Sequence, residues 1–153
     1  MAIDVRRADL ARDYEAIRAI RTVVFVMEQR VPLDLEMDDR DAVCAHVLAS
    51  IDDAPVGTGR IDLERAGKIG RVAVLAPHRR AGVGAAIMAH LHRIASDRGL
   101  ARVWCHAQRS AVPFYERLGY RITSEPFIEA GIEHVVMTAA FESRVRTGAS
   151  RAF

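Results

Sequence analysis

The chain has 153 residues, half of them hydrophobic, with 22 Lys and Arg against 20 Asp and Glu. That length fits one domain able to bury a sizeable core, and a formal net charge of +2 lacks the basic field of a general nucleic-acid binder. Two cysteines without a CxxC, charges at Asp4, Arg6, Arg7 and Asp9 in place of an apolar leader, and a longest apolar run of residues 23–27 predict a reduced, cytoplasmic compartment and no membrane span.

In chain order, Ile3 and Val5 predict a first strand, and Asp9 can cap a helix in which Leu10, Tyr14, Ile17 and Ile20 or Arg21 keep a helical step. Residues 30–41 form a polar, acidic connector holding Pro32. Residues 43–51 read as a strand, and Asp52-Asp53-Ala54-Pro55 as a turn into another over 56–63. After a turn over residues 64–67, the β-branched run 69–75 is a short strand closed by Ala76-Pro77. Val83, Ile87, Leu91 and Ile94 predict a helix that Gly99 stops. A strand over 102–107 and a short helix over 110–118 follow, then an excursion bracketed by Pro126 and Gly131 and a last strand over 134–140. The tail from 143, with Arg144, Arg146 and Arg151 among small residues, is expected to be a basic, flexible appendage to a domain of residues 1–142. The order predicts an α/β domain of three layers, without internal repeat or interdomain linker.

The most informative stretch is Arg79-Arg80-Ala81-Gly82-Val83-Gly84, between a predicted strand and a predicted helix. Two glycines let the main chain fold tightly around an anion, and the first helical amides point at it without intrahelical partners. Arg79 and Arg80 add forked positive charge suited to phosphate oxygens. A plain strand-to-helix turn is the alternative. A nucleotide-triphosphatase loop is excluded because Ala85-Ala86 follows Gly84 where Lys and Ser or Thr would be needed, and a dinucleotide fingerprint because Ile87 stands where its third glycine belongs.

Arg79-x-x-Gly82-x-Gly84 resembles the coenzyme A loop of the GNAT superfamily of acetyltransferases. Downstream, Gln108-x-x-Ala111-x-x-Phe114-Tyr115-Glu116-x-Leu118-Gly119-Tyr120 is similar to the second GNAT signature, with Gln108 in place of the usual Asn. Val24-Phe25-Val26-Met27-Glu28-Gln29, Val56-Gly57-Thr58-Gly59-Arg60, His106-Ala107-Gln108 and Phe127-x-Glu129-Ala130-Gly131-Ile132-x-His134 resemble the ElaA/YjcF-like branch, and the likeness spans residues 3–140. The resemblance implies a GNAT-like three-layer α/β/α fold with a mixed, mostly antiparallel sheet splayed at the cofactor cleft. It implies acetyl-CoA as cosubstrate without a metal, and direct attack in a ternary complex by a small-molecule or peptide acceptor, a primary amine. It also implies the cofactor-binding residues: the loop Arg79, Arg80, Ala81, Gly82, Val83 and Gly84, the strand amides of Val72, Ala73 and Val74, and Gln108 and Phe114. Tyr115 stands at the motif position of the acid that protonates the leaving thiolate, the alternative being an aromatic packed beside Phe114 and Leu118.

The general base is open among Glu28, Glu36, Asp38, Asp39, His106 and Glu129. His106 shares strand parity with Gln108, whereas Cys105 alternates away as a buried thiol. Cys44 and His46 share a face but lack further ligands for a metal. The acids Asp34, Glu36, Asp38, Asp39 and Asp41, opposed only by Arg40, are either a solvated loop or a negative wall that favours a cationic amine. Two other functions could use the same chain: an acyl-CoA-binding sensor that has lost turnover, and a structural partner in a homodimer. No nucleic acid or membrane is expected as a partner.

Overall fold

The structure is a computed structural model that describes residues 2–33 and 38–141; Asp34 and Glu36 of the acidic connector and the tail from 143 lie outside the described residues. Its strands are β1 (Ile3–Ala8), β2 (Ala45–Ile51), β3 (Ala54–Asp62), β4 (Lys68–Val74), β5 (Arg102–Gln108), β6 (Arg121–Ile122), β7 (Phe127–Glu129) and β8 (Ile132–Ala140). The helices are α1 (Leu10–Arg21), α2 (Val83–Asp97) and α3 (Val112–Arg117). One sheet runs β1-β2-β3-β4-β5-β8-β6, with β7 also paired to β8, and every pairing is antiparallel except β4 with β5.

Two cores flank the sheet. On one face Val83, Ile87, Met88, Leu91 and Ile94 of α2 pack on Val47, Ile61, Ile69, Val103 and Met137, and α3 adds Val112 and Tyr115. On the other, Ile17 and Ile20 of α1 and Val24 meet Leu48 and Ala73. The three-layer expectation holds. Close approach of α2 explains Gly57 and Gly59: a Cβ at either would come within 2.9 Å of the Ile87 side chain. Gly99, at φ +77°, ends α2 as its position predicts.

Two local features were not foreseen. Asp9 caps α1 through the amides of Ala11 and Arg12, but the helix does not stop at residue 21; it widens into a π-helical segment, Thr22–Glu28. A π turn carries no 3.6-residue signature to read. The second is a β-bulge in β4. Thr58 pairs with Ala73 and Arg60 with Gly70, so three steps on β4 oppose two on β3, and Arg71 adopts φ +54°. The extra residue reverses the side-chain alternation. Ile69 therefore packs in the α2 core, whereas Ala73 packs under α1.

The short β7 answers the excursion that Pro126 and Gly131 were expected to bracket. Ala130 and Gly131, at φ +51° and +75°, form its hairpin turn into β8.

Candidate active site

The parallel ladder between β4 and β5 holds only Lys68 with Trp104 and Ile69 with Cys105. Beyond these pairs the strands part, and a cleft of about 960 Å³ opens between them. It is lined by Val72, Ala73, Val74, Arg79, Arg80, Gly82, Gly84, Gln108, Phe114 and Tyr115, so most of the residues expected around the cofactor come together there. The side chains of Ala81 and Val83 do not line it: Ala81 is exposed and Val83 is buried in the core.

The loop presents main chain. Gly82, at φ +87°, stands at the N-cap of α2 without a capping side chain, and the first internal bond of the helix runs from the Ala86 amide to the Gly82 carbonyl at 3.0 Å. The amides before Ala86 therefore have no intrahelical acceptors, which suits an anion. Gly84 sits against Phe114, whose ring a Cβ would meet at 3.2 Å. Arg79 is more constrained than a free phosphate ligand: its Nε donates to the Val74 carbonyl at 2.8 Å and a terminal nitrogen donates to Glu28 Oε1 at 2.7 Å. This pins the loop to the π segment and commits one of the candidate bases. Gln108 donates to Gln29 Oε1 at 2.6 Å, a second tie across the cleft.

Tyr115 is 8% exposed, packed edge-on between Phe114 and Tyr120, and still lines the cleft. Burial pushes its phenol well above the ordinary value, with Cys105 adding to the effect. The group stays protonated. Cys105 is itself buried, and its thiol is pushed up to about 12 by desolvation, as befits a packing residue.

The opposite face of the cleft is polar. His106 on β5, Glu129 on β7 and His134 on β8 share that face through the ladders Gln108–His134 and Phe127–His134. A carboxylate only accepts, so His106 Nδ1–H donates to Glu129 Oε1 at 3.0 Å and leaves Nε2 with its lone pair. His134 Nδ1–H donates to the Ile132 carbonyl at 2.7 Å, leaving Nε2 facing Glu129 Oε2 at 3.8 Å. The bond from His106 holds the Glu129 carboxyl below its usual range against the opposing effect of burial. Phe127 packs between the two imidazoles. His106 and Glu129 were legible as candidates from residue type and strand parity; His134 as their neighbour needed the β5–β8 register.

The described acids of the connector, Asp38, Asp39 and Asp41, do not form the negative wall that was one of the two readings of its composition. Asp38 accepts from Arg60 at 2.7 and 3.0 Å and from Arg71 at 3.0 Å. Asp41, buried, accepts from Arg21 at 2.8 Å and Arg60 at 2.6 Å. Burial alone would raise the Asp38 carboxyl, but the Arg60 hydrogen bonds and the charges of Arg60, Arg71 and Arg21 bring it down to about 2. Both carboxylates neutralise arginines, so Asp38 is no free base either. Asp39 is exposed and does not line the cleft. Among the described residues this face presents Arg60, Arg65, Lys68 and Arg71 against Asp38 and Glu129. Among the described residues the charge of this face is positive on balance. None of these four cations was singled out as a site residue from the sequence, because only the register of β3 with β4 gathers them. No group of His, Cys, Asp and Glu among the described residues is arranged to hold a metal ion, and no described helix is long and apolar enough to cross a membrane.

Residues 22–141 match the family described as Acetyltransferase (GNAT) domain. Over 136 residues the chain is 40% identical to the uncharacterized N-acetyltransferase YjcF of Bacillus subtilis, covering 86% of this chain and 97% of that protein. It superposes on an acyl-CoA N-acyltransferase from Pseudomonas aeruginosa with a TM-score of 0.80 at 27% identity, covering 91% of this chain and all of the other. Escherichia coli ElaA superposes with a TM-score of 0.78 at 25% identity, over 90% and 99% of the two chains. The chain belongs to the GNAT family of acetyltransferases.

Proposed function

We propose that this GNAT protein transfers an acetyl group from acetyl-CoA to a primary amine by direct attack within a ternary complex. The observation that carries the reading is the parting of β4 from β5 after two residue pairs, with Tyr115 on one lip and the His106–Glu129–His134 group on the other. The pyrophosphate sits on the amides that open α2, beside Arg80, and the pantetheine arm runs along the edge of Val72–Val74 that β5 has left. The acceptor enters from the opposite face, where Lys68, His106 and Glu129 stand.

In the transfer, the amine nitrogen bonds to the thioester carbonyl carbon and the C–S bond breaks. Main-chain amides of the bulged strand stabilise the charge that develops on the carbonyl oxygen. The departing sulfur takes the Tyr115 proton, and the proton lost by the nitrogen passes to the imidazole pair, of which Glu129 orients His106 and the Ile132 carbonyl orients His134. Because burial raises the Tyr115 phenol, its acid form persists above the ordinary value near ~10. No alkaline loss of rate below that pH is assigned to it.

Thiol release from acetyl-CoA in the presence of an amine panel tests the reading. Tyr115→Phe keeps the ring packing and removes the donor, so kcat should fall by the ~10²–10⁴-fold of general acid catalysis while acetyl-CoA affinity holds. Tight acetyl-CoA binding with no thiol release across the panel would favour an acyl-CoA sensor instead. A Tyr115→Phe enzyme of normal rate would return Tyr115 to a packing role.

A further inference from the structure

The acceptor side of the cleft holds a cation whose position is set by its surroundings and which no described carboxylate meets in an ion pair, although the Glu129 charge acts on it from the same face. Lys68 is the only lysine in the chain. It opens β4 at the cleft, half-buried, with Nζ 5.4 Å from the centroid of the Trp104 ring. The indole N–H of Trp104 donates to the Arg65 carbonyl at 3.0 Å, so the aromatic plate beneath the ammonium is itself fixed. Among the described residues no carboxylate oxygen lies within ion-pair distance of Lys68. Arg65 stands beside it on the cleft wall, and its nearest acid, Asp62 at 3.8 Å, already accepts two hydrogen bonds from Arg40 at 2.8 and 2.9 Å.

We infer that Lys68, with Arg65, binds a carboxylate carried by the acceptor itself, so that the acceptor class is short aminocarboxylates. This rests on the acetyl-transfer reading above and deepens it. A half-buried ammonium over an aromatic face keeps its attraction for an anion better than an exposed one, because less water screens it. A cationic amine with a second ammonium would bring like charge to the same place. The separation sets the size of the acceptor. Lys68 pairs with Trp104, and His106 lies two residues further along β5 on the same face, ~7 Å at the rise of a strand. The two groups are thus anchored at neighbouring positions on one face, which calls for an acceptor whose carboxylate and amine lie close together.

Matched amines decide it: a short aminocarboxylate, its amide, its methyl ester and a diamine of similar length, assayed by thiol release. The aminocarboxylate should have a kcat/KM at least ~10-fold above its uncharged analogues, the scale of one charge-assisted hydrogen bond. Lys68→Gln should raise KM for the aminocarboxylate toward that of the amide, so that the ratio of kcat/KM between the two collapses toward one. Lys68→Arg should recover most of the preference. Titration calorimetry of the coenzyme A-saturated protein with the same aminocarboxylate reads this site without turnover, so Lys68-dependent binding without thiol release would sink the acetyl-transfer reading alone. The inference is overturned if the amide or diamine is used as well as the aminocarboxylate, if Lys68→Gln weakens all amines equally, or if the calorimetry shows no binding that depends on Lys68.

Discussion

Replacing Asp38 with Asn separates an ion-network role from a substrate-attracting one. The side chain keeps its volume, and its remaining carbonyl oxygen can still accept from the Arg40 amide, which Asp38 holds at 3.2 Å. What goes is the negative charge that Arg60 and Arg71 share. The fall of the Asp38 carboxyl from an ordinary 3.8 to about 2 corresponds to about 2 kcal/mol of stability at neutral pH. Because the folded value lies below the unfolded one, that contribution is complete above pH 4–5 and disappears as pH falls through about 2. In a chain of this size about 2 kcal/mol is a fall in Tm of roughly 4–8 °C. Thermal unfolding of Asp38→Asn against wild type should show that gap at pH 7 and a narrowing gap below pH 4. Asp39→Asn, an exposed change one residue away, should stay within about 0.5 kcal/mol, and neither variant should raise KM for a cationic amine. A wild-type Tm in Asp38→Asn, or a gap that does not narrow in acid, would refute the network argument. A raised KM for cations would restore the negative wall.

Two further variants probe the two lips of the cleft. Gly82→Asp places its side chain in open space at the mouth of α2, since nothing lies within 4 Å of a Cβ there; the positive φ costs about 1 kcal/mol, so the protein folds, while repulsion of the pyrophosphate should weaken coenzyme A binding by about 100-fold in calorimetry. Unchanged affinity would make the loop an ordinary turn. Glu129→Gln removes the charge that joins the two imidazoles, and kcat should drop by about 10²-fold with KM for acetyl-CoA unchanged; His106→Gln and His134→Gln, measured alongside, show which ring accepts the proton, and three wild-type rates would remove the group from the chemistry.

What could be read along the chain was local in origin. The glycine loop proposed to hold coenzyme A was legible as a strand-to-helix turn because glycine spacing and the adjoining periodicities lie within a few residues of one another, and the observed α2, Val83–Asp97, begins and ends where its N-terminal loop and Gly99 indicate. Strand parity correctly put His106 and Gln108 on one face and Cys105 on the other, because alternation needs no knowledge of the partner strand. The β4 bulge was hidden, since an arginine at φ +54° carries no turn signature of the kind that Asn or Gly would leave. That hidden residue had a wide effect, because it fixes which side chains of β4 face α1 and places Arg71 within reach of Asp38.

The described acids of the connector show why composition could not choose between a solvated loop and a negative wall. A run of acids along the chain states how many charges there are but not which of them are already paired. Arg60 and Arg71 reach Asp38 from 22 and 33 residues away, through the register of β3 and β4 and the bulge between them. Once those pairs form, the acids are structural, and what the cleft offers to an incoming molecule is set by charges without a partner. Among the described residues of the acceptor face that is Lys68, which makes no ion pair and feels the Glu129 charge only from beyond ion-pair distance. Charge patterning therefore predicts the field of a cleft only after the long-range pairs have been subtracted, and among the described residues the subtraction leaves a positive balance here.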